Sequence, residues 1–245
     1  MLIVPTPKSA STLDTSDLLA LWDECVPLPS PAARARTVVA AVGDRSASRL
    51  TVGEANVVLL EFYGRLAGPV MAGVAECPTC GAELELEIDA TTLAAAGGPP
   101  MTQVTVDAGG RHLVVDVPTI DDLAGGPGSG DDLLRWCVVT DEDGILDGPA
   151  AGANGVDDWR SAIGDAVAAA DPMAEIALTL TCPGCAASWD ETLDPAAFVW
   201  AELDAEVRRV ASEVLALSRA YGWSEAAITS LTPWRRRLYL EAAGA

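Results

Sequence analysis

Val70-Met-Ala-Gly-Val-Ala-Glu-Cys77-Pro-Thr-Cys80-Gly-Ala-Glu-Leu-Glu-Leu-Glu-Ile88 decides the fold, because its pattern returns at Ile176-Ala-Leu-Thr-Leu-Thr-Cys182-Pro-Gly-Cys185-Ala-Ala-Ser-Trp189. Val70, Ala72 and Val74 lead into the first thiol pair. Leu84, Leu86 and Ile88 leave it in strict alternation with Glu83, Glu85 and Glu87, the period of a half-buried strand. Ile176, Leu178 and Leu180 lead into the second pair in the same way. Each CPxC therefore sits at the tip of a β-hairpin.

The two-residue gap lets both thiolates of a knuckle face one ion, while backbone N–H groups of the turn donate to the sulfurs. Cys77, Cys80, Cys182 and Cys185 together make a closed tetrahedral thiolate set for Zn2+, with Zn–S near ~2.3 Å and no open position for water. Such a site does structural work and contributes on the order of 10 kcal/mol to folding. The knuckles lie 102 residues apart, farther than in compact ribbons, so the expectation includes an insertion at about 90–175. Two independent redox or disulfide pairs are the alternative. A thioredoxin-like site needs CxxC opening a helix, and here strand alternation follows Cys80. Cys25 and Cys137, in helical patterns beside Trp22 and Trp136, read as packing thiols.

Around this unit the expected class is α+β: a zinc-ribbon-like antiparallel β unit with N-terminal helices and a helical C-terminal arm. Residues 1–68 hold an extended arm (1–16), a helix carrying Leu18, Leu19 and Trp22 and capped by Asp14 or Ser16, a break at Pro27, Pro29 and Pro31, a helix over Arg34–Val42, and a third helix after Thr51-Val-Gly-Glu54. Residues 69–192 are the knuckle domain with its insertion. Within the insertion 96–100 is a linker, and Thr102–Val106 and His112–Val117 form a hairpin. A loop at 124–130, a helix over Asp131–Val139, a loop at 143–155 and a helix over about 157–170 follow. Residues 193–245 form the arm: Asp194-Pro195 starts a helix that runs to about Tyr221, Gly222 stops it, Ser224 caps a short helix and Thr232-Pro233 opens the last.

Fifteen Lys and Arg against thirty-six Asp and Glu give a net charge of −21, and half the residues are hydrophobic. A folded acidic protein results, one that repels phosphate backbones and anionic lipid; the acidic surface either is simply solvated or suits a basic partner. No apolar run is long enough for a membrane span, and no signal peptide is expected from the pattern of residues 1–8. The expected place is the cytosol, where CxxC pairs favour metal over disulfide. Catalytic chemistry finds little support. His112 is the only histidine and sits in a strand pattern, Gly125-Gly-Pro-Gly-Ser-Gly130 lacks the Lys-Ser/Thr ending of a P-loop, and pairs such as Asp121/Asp122 or Asp131/Asp132 arise by chance among so many acids. No enzyme and no small-molecule substrate are expected.

The end of the chain gathers Tyr221, Trp223, Trp234, Arg235, Arg236, Arg237 and Tyr239, residue types that dominate interface hot spots. They read either as a partner-docking element or as helices packed on their own core. From Cys182 to Leu240 the run of knuckle, Trp189, Asp-Pro helix with Phe198 and Trp200, Ala220-Tyr-Gly-Trp-Ser-Glu225 and Pro233-Trp-Arg-Arg-Arg-Leu-Tyr-Leu240 resembles the T-even-like phage baseplate protein family, found in contractile phage tails and phage-tail-like contractile injection systems. Gly53-Glu54, Cys77-Pro-Thr-Cys80-Gly81 and Val117-Pro-Thr-Ile-Asp-Asp-Leu123 look like the same family. The second knuckle departs by having Ala186 where the first has Gly81. The resemblance implies a role in building the baseplate or hub, with other baseplate, hub or spike proteins as partners and no direct nucleic-acid contact, in the cytosol or within an assembled particle. The competing readings are a zinc-ribbon regulator that binds nucleic acid or transcription machinery, and a thiol oxidoreductase.

Overall fold

Asp14 starts the first helix, α1 (Thr15–Cys25): its carboxylate accepts from the N–H groups of Ser16 and Asp17, and Asp17 accepts from the Asp14 N–H. In this computed structural model residues 13–43, 47–99, 101–108, 111–125, 139–141, 144–145 and 156–244 are described. The arm expected over 1–16 thus gives way to helix by Thr15, and residues 1–12 lie outside the described residues. Pro31, read as a breaker, is instead the first residue of α2 (Pro31–Val42), capped by Ser30; a proline loses nothing at a position whose N–H has no helical acceptor. Thr51 and Glu54 form the capping box of α3 (Val52–Leu66).

Gly68, at φ 97°, turns the chain into β1 (Val70–Glu76), which pairs antiparallel with β2 (Glu83–Asp89). Strand phase differs from the sequence reading. Met71 and Ala75 are buried, whereas Val70 and Val74 are exposed. Both rows of β1 are apolar, so alternation alone leaves the phase open; the Phe198 ring chooses it by packing where Gly73 offers no side chain. Asp89 then caps a short helix, α4 (Ala90–Ala95).

The insertion forms the expected hairpin, β3 (Gln103–Ala108) with β4 (Arg111–Asp116). The strands β5 (Val139–Asp141) and β6 (Gly144–Ile145) extend it into an antiparallel sheet of order β3-β4-β5-β6. Val139 is therefore strand rather than the end of a helix, and 144–145 pair where a loop was expected; residues 131–138, with Cys137, and most of the 143–155 loop lie outside the described residues. Between β4 and β5, α5 (Ile120–Ala124) takes a Thr119–Asp122 capping box. The helix α6 (Val156–Ala170) packs on β3, and Val104, Val106, Leu113, Val115, Ile163 and Ala170 share a small core.

The second hairpin, β7 (Ile176–Thr181) with β8 (Ser188–Leu193), leads into α7 (Pro195–Tyr221), capped by Asp194 and stopped by Gly222 in the left-handed region. Then come α8 (Glu225–Thr229) and α9 (Pro233–Ala243). The main core draws on all three sequence segments: Leu21 and Cys25 from α1, Val38 and Val39 from α2, Leu59 and Leu60 from α3, Met71 from β1, and Val199, Leu203 and Val207 from α7. Each fully buried leucine contributes about 1.5–3 kcal/mol. Trp22 Nε1 donates to Asp204 at 3.0 Å, pinning α1 to α7. The insertion is clamped back onto α3: buried Asp171 accepts from the Gly53 N–H at 2.8 Å, and Asn56 Nδ2 donates to Met173 O at 2.8 Å.

Candidate metal centre

Both knuckles are built by the same hydrogen bonds. The Cys77 N–H donates to Ala82 O and the Gly81 N–H to Cys77 O; the Cys182 N–H donates to Ala187 O and the Ala186 N–H to Cys182 O, all at 2.9 Å. This turn requires a left-handed residue directly after the second cysteine. Gly81 meets it at φ 70°. Ala186 meets it at φ 60°, the only non-glycine at positive φ among the described residues, so the departure from glycine changes the strain and not the turn.

The two hairpin tips bring the four expected ligands together. Cys77 Sγ lies 3.7 Å from Cys185 Sγ and Cys80 Sγ 3.7 Å from Cys182 Sγ, and all four sulfurs fall within 4.8 Å of one another. These distances are far beyond a disulfide bond of about 2.05 Å. The set can hold a metal ion. Cys77 and Cys182 are buried, while Cys80 and Cys185 are exposed, so one side of the cluster is sealed by protein. The Gly184 N–H points at Cys182 Sγ at 3.4 Å.

The thiols hold their protons unequally. Burial works against ionising Cys77, yet the backbone N–H groups of Thr79 and Cys80, with the thiols of Cys185 and Cys80, outweigh it and bring the pKa down to about 7. Cys80 receives the Ala82 N–H, but the thiols of Cys185, Cys182 and Cys77 push it up to about 12. Cys185 is also raised: the Ala187 N–H and the Cys80 thiol act to lower it, but desolvation at the cluster and the thiols of Cys77 and Cys182 outweigh them. Cys25 lies apart, fully buried in the main core, where desolvation and then Glu24 push it up to about 11; it packs, as expected.

The C-terminal residues divide. Arg236 is not available to a partner: it is fully buried, with Nε donating to Glu213 at 2.6 Å and Nη1 to Thr15 Oγ1 and Leu231 O. Helical phase turns it inward against α7 while its neighbours Arg235 and Arg237 face solvent. Tyr221 and Trp223 stack at 4.7 Å, Tyr239 meets Trp223 edge-on at 4.9 Å, and the Tyr221 hydroxyl donates to Tyr239 O; these aromatics brace α9 on the end of α7. Trp234 stands 78% exposed, with the Arg237 guanidinium 5.5 Å from its ring centre. His112 is exposed and pairs with Asp107. Asp121 pairs with Arg36 and Asp122 caps α5, so that carboxylate pair is structural; Asp131 and Asp132 lie outside the described residues.

No protein-family model, curated protein or solved structure matches the chain. Among the described residues, no helix is long and apolar enough to cross a membrane.

Proposed function

We propose that this chain is a structural or assembly protein in which Cys77, Cys80, Cys182 and Cys185 close on one zinc ion, a zinc-ribbon-like joint between two hairpins, and that it serves in the baseplate or hub of a contractile tail-like particle. The four-sulfur cluster carries the reading. A tetrahedral ion with bonds near ~2.3 Å needs sulfur–sulfur edges of about 3.8 Å, and two edges here are 3.7 Å. Four protein ligands leave no position for substrate, which favours structure over catalysis. A thiol exchange role is disfavoured by access: Cys77, the thiol brought down to about 7, is 1% exposed, and the exposed Cys80 and Cys185 are both raised. The charge of −21 speaks against direct nucleic-acid contact.

The particle draws on the resemblance carried by the Cys182–Leu240 segment and by Cys77-Pro-Thr-Cys80-Gly81. Metal analysis should return one zinc per chain, lost in Cys77→Ser and Cys182→Ser. Pull-down from the host should return baseplate, hub or spike proteins. A metal-free native protein would overturn the zinc joint, and normal particles in a deletion strain would overturn the assembly role.

A further inference from the structure

Two surfaces of opposite character lie toward opposite ends of α7. Near its start, Phe198 packs over Gly73, so that a Cβ there would lie 3.3 Å from the ring. Val70 and Val74 consequently face outward, 48% and 65% exposed. The register sets Val74 opposite Glu85 and Glu76 opposite Glu83, so these valines lie in a field of exposed carboxylates. Like charges directly opposite are destabilising, and the hairpin carries them uncompensated: among the described residues none of Glu76, Glu83, Glu85 and Glu87 has an ion-pair partner.

Farther along the same helix, Glu213 and Tyr221 hold α9. Its outer face shows Trp234 and Leu238, 78% and 61% exposed and one turn apart, flanked by Arg235 and Arg237. Neither arginine forms an ion pair among the described residues. The fifteen residues from Phe198 to Glu213 separate the two anchor points by about 22 Å along the helix.

We propose that these surfaces dock on each other between copies of the chain, the α9 face of one on the β1–β2 face of the next. Trp234 and Leu238 cover Val70 and Val74, while Arg235 and Arg237 meet the glutamate rows. In a chain of net charge −21, an exposed apolar patch whose arginines have no carboxylate partner among the described residues fits an acidic apolar partner surface, and the β1–β2 face carries one. Different surfaces meet, so the contact is heterologous and propagates to a ring or a filament. It rests on these two faces and on neither the metal nor the particle.

Sedimentation velocity on the full chain tests it, from micromolar to hundreds of micromolar at physiological salt. The wild type should grow with concentration beyond its 25.3 kDa monomer. Trp234→Ala/Leu238→Ala and Val70→Ser/Val74→Ser, all at exposed positions, should each stay monomeric. Mixed one to one they should give a dimer and nothing larger, because each supplies one intact face. A wild type that stays monomeric throughout overturns the proposal. So does association that survives the valine changes but is lost in Trp234→Ala/Leu238→Ala, since that identifies a symmetric contact of α9 with itself, and so does association untouched by either pair.

Discussion

Ala186 holds a backbone conformation that an L side chain adopts at a cost of about 1–2 kcal/mol. Nothing about the turn demands a side chain there, since Gly81 makes the same bond in the first knuckle. Ala186→Gly should therefore stabilise the metal-loaded protein by about 0.5–1 kcal/mol, the relief of strain less the added freedom of the unfolded chain. Gly81→Ala should cost about 1 kcal/mol, since its new Cβ meets only Glu76 Oε1 at an ordinary 3.6 Å. Denaturant midpoints check both; no gain from Ala186→Gly would mean the knuckle is not strained. A different glycine is fixed by space. A Cβ on Gly53 would lie 2.0 Å from Asp171 Oδ1 and 3.0 Å from the Ala174 backbone nitrogen. Gly53→Ala should displace the buried Asp171 carboxylate that accepts the Gly53 N–H and destabilise by about 2–4 kcal/mol. Gly64→Ala in the same helix, with its nearest neighbour at 3.7 Å, should be neutral or stabilising by up to about 1 kcal/mol, which separates the steric effect from helix propensity.

Element by element, the long signals were legible. Asp194-Pro195 and Gly222 bound α7 at both ends, and Thr51 with Glu54 announced α3. The short helices α4 and α5 are not legible although Asp89 and Thr119 are ordinary caps, because five or six residues carry too little apolar period to mark a helix. The phase of β1 was hidden for a different reason: Val70-Ala72-Val74 and Met71-Gly73-Ala75 are both apolar rows, and only Phe198, 125 residues after Gly73, decides between them. Arg236 could not be told from Arg235 and Arg237 by composition; its partner Glu213 lies 23 residues upstream on another helix. Its burial makes the pair testable. Glu213→Gln leaves a buried guanidinium without its carboxylate and should cost about 3–5 kcal/mol, whereas Arg236→Met with Glu213→Gln should recover most of the loss, because desolvating both charges offsets much of their attraction. Thermal unfolding of the single and double variants reads this directly; a double variant as unstable as Glu213→Gln would show that the pair contributes through geometry rather than compensated charge.

For the molecule as a whole, one pattern occurs twice: a fifteen-residue helix, a strand, CPxC, a return strand, and an Asp cap nine residues after the last cysteine. The copies diverge afterwards, six residues of helix in α4 against twenty-seven in α7. No ladder joins the two hairpins among the described residues; their tips meet at the sulfurs, each first cysteine beside the other copy's second. The meeting was legible in the repeated motif, but the burial of Cys77 and Cys182 against the exposure of Cys80 and Cys185 was not, because it depends on what packs behind each tip. Metal binding at such a cluster competes with protons. At pH 8 Cys77, lowered to about 7 by backbone N–H groups and neighbouring thiols that outweigh its burial, is already ionised, whereas Cys80 and Cys185 are raised and still hold theirs. Binding there must displace the Cys80 and Cys185 protons, so apparent affinity falls as pH falls, about tenfold per unit for each displaced proton. Below pH 7 Cys77 must give up a proton as well, and the slope should steepen by one further tenfold per unit. Competition against a chromophoric chelator between pH 6 and pH 8 measures it: a break near 7 is expected, and an affinity independent of pH would show that these thiols do not hold the ion.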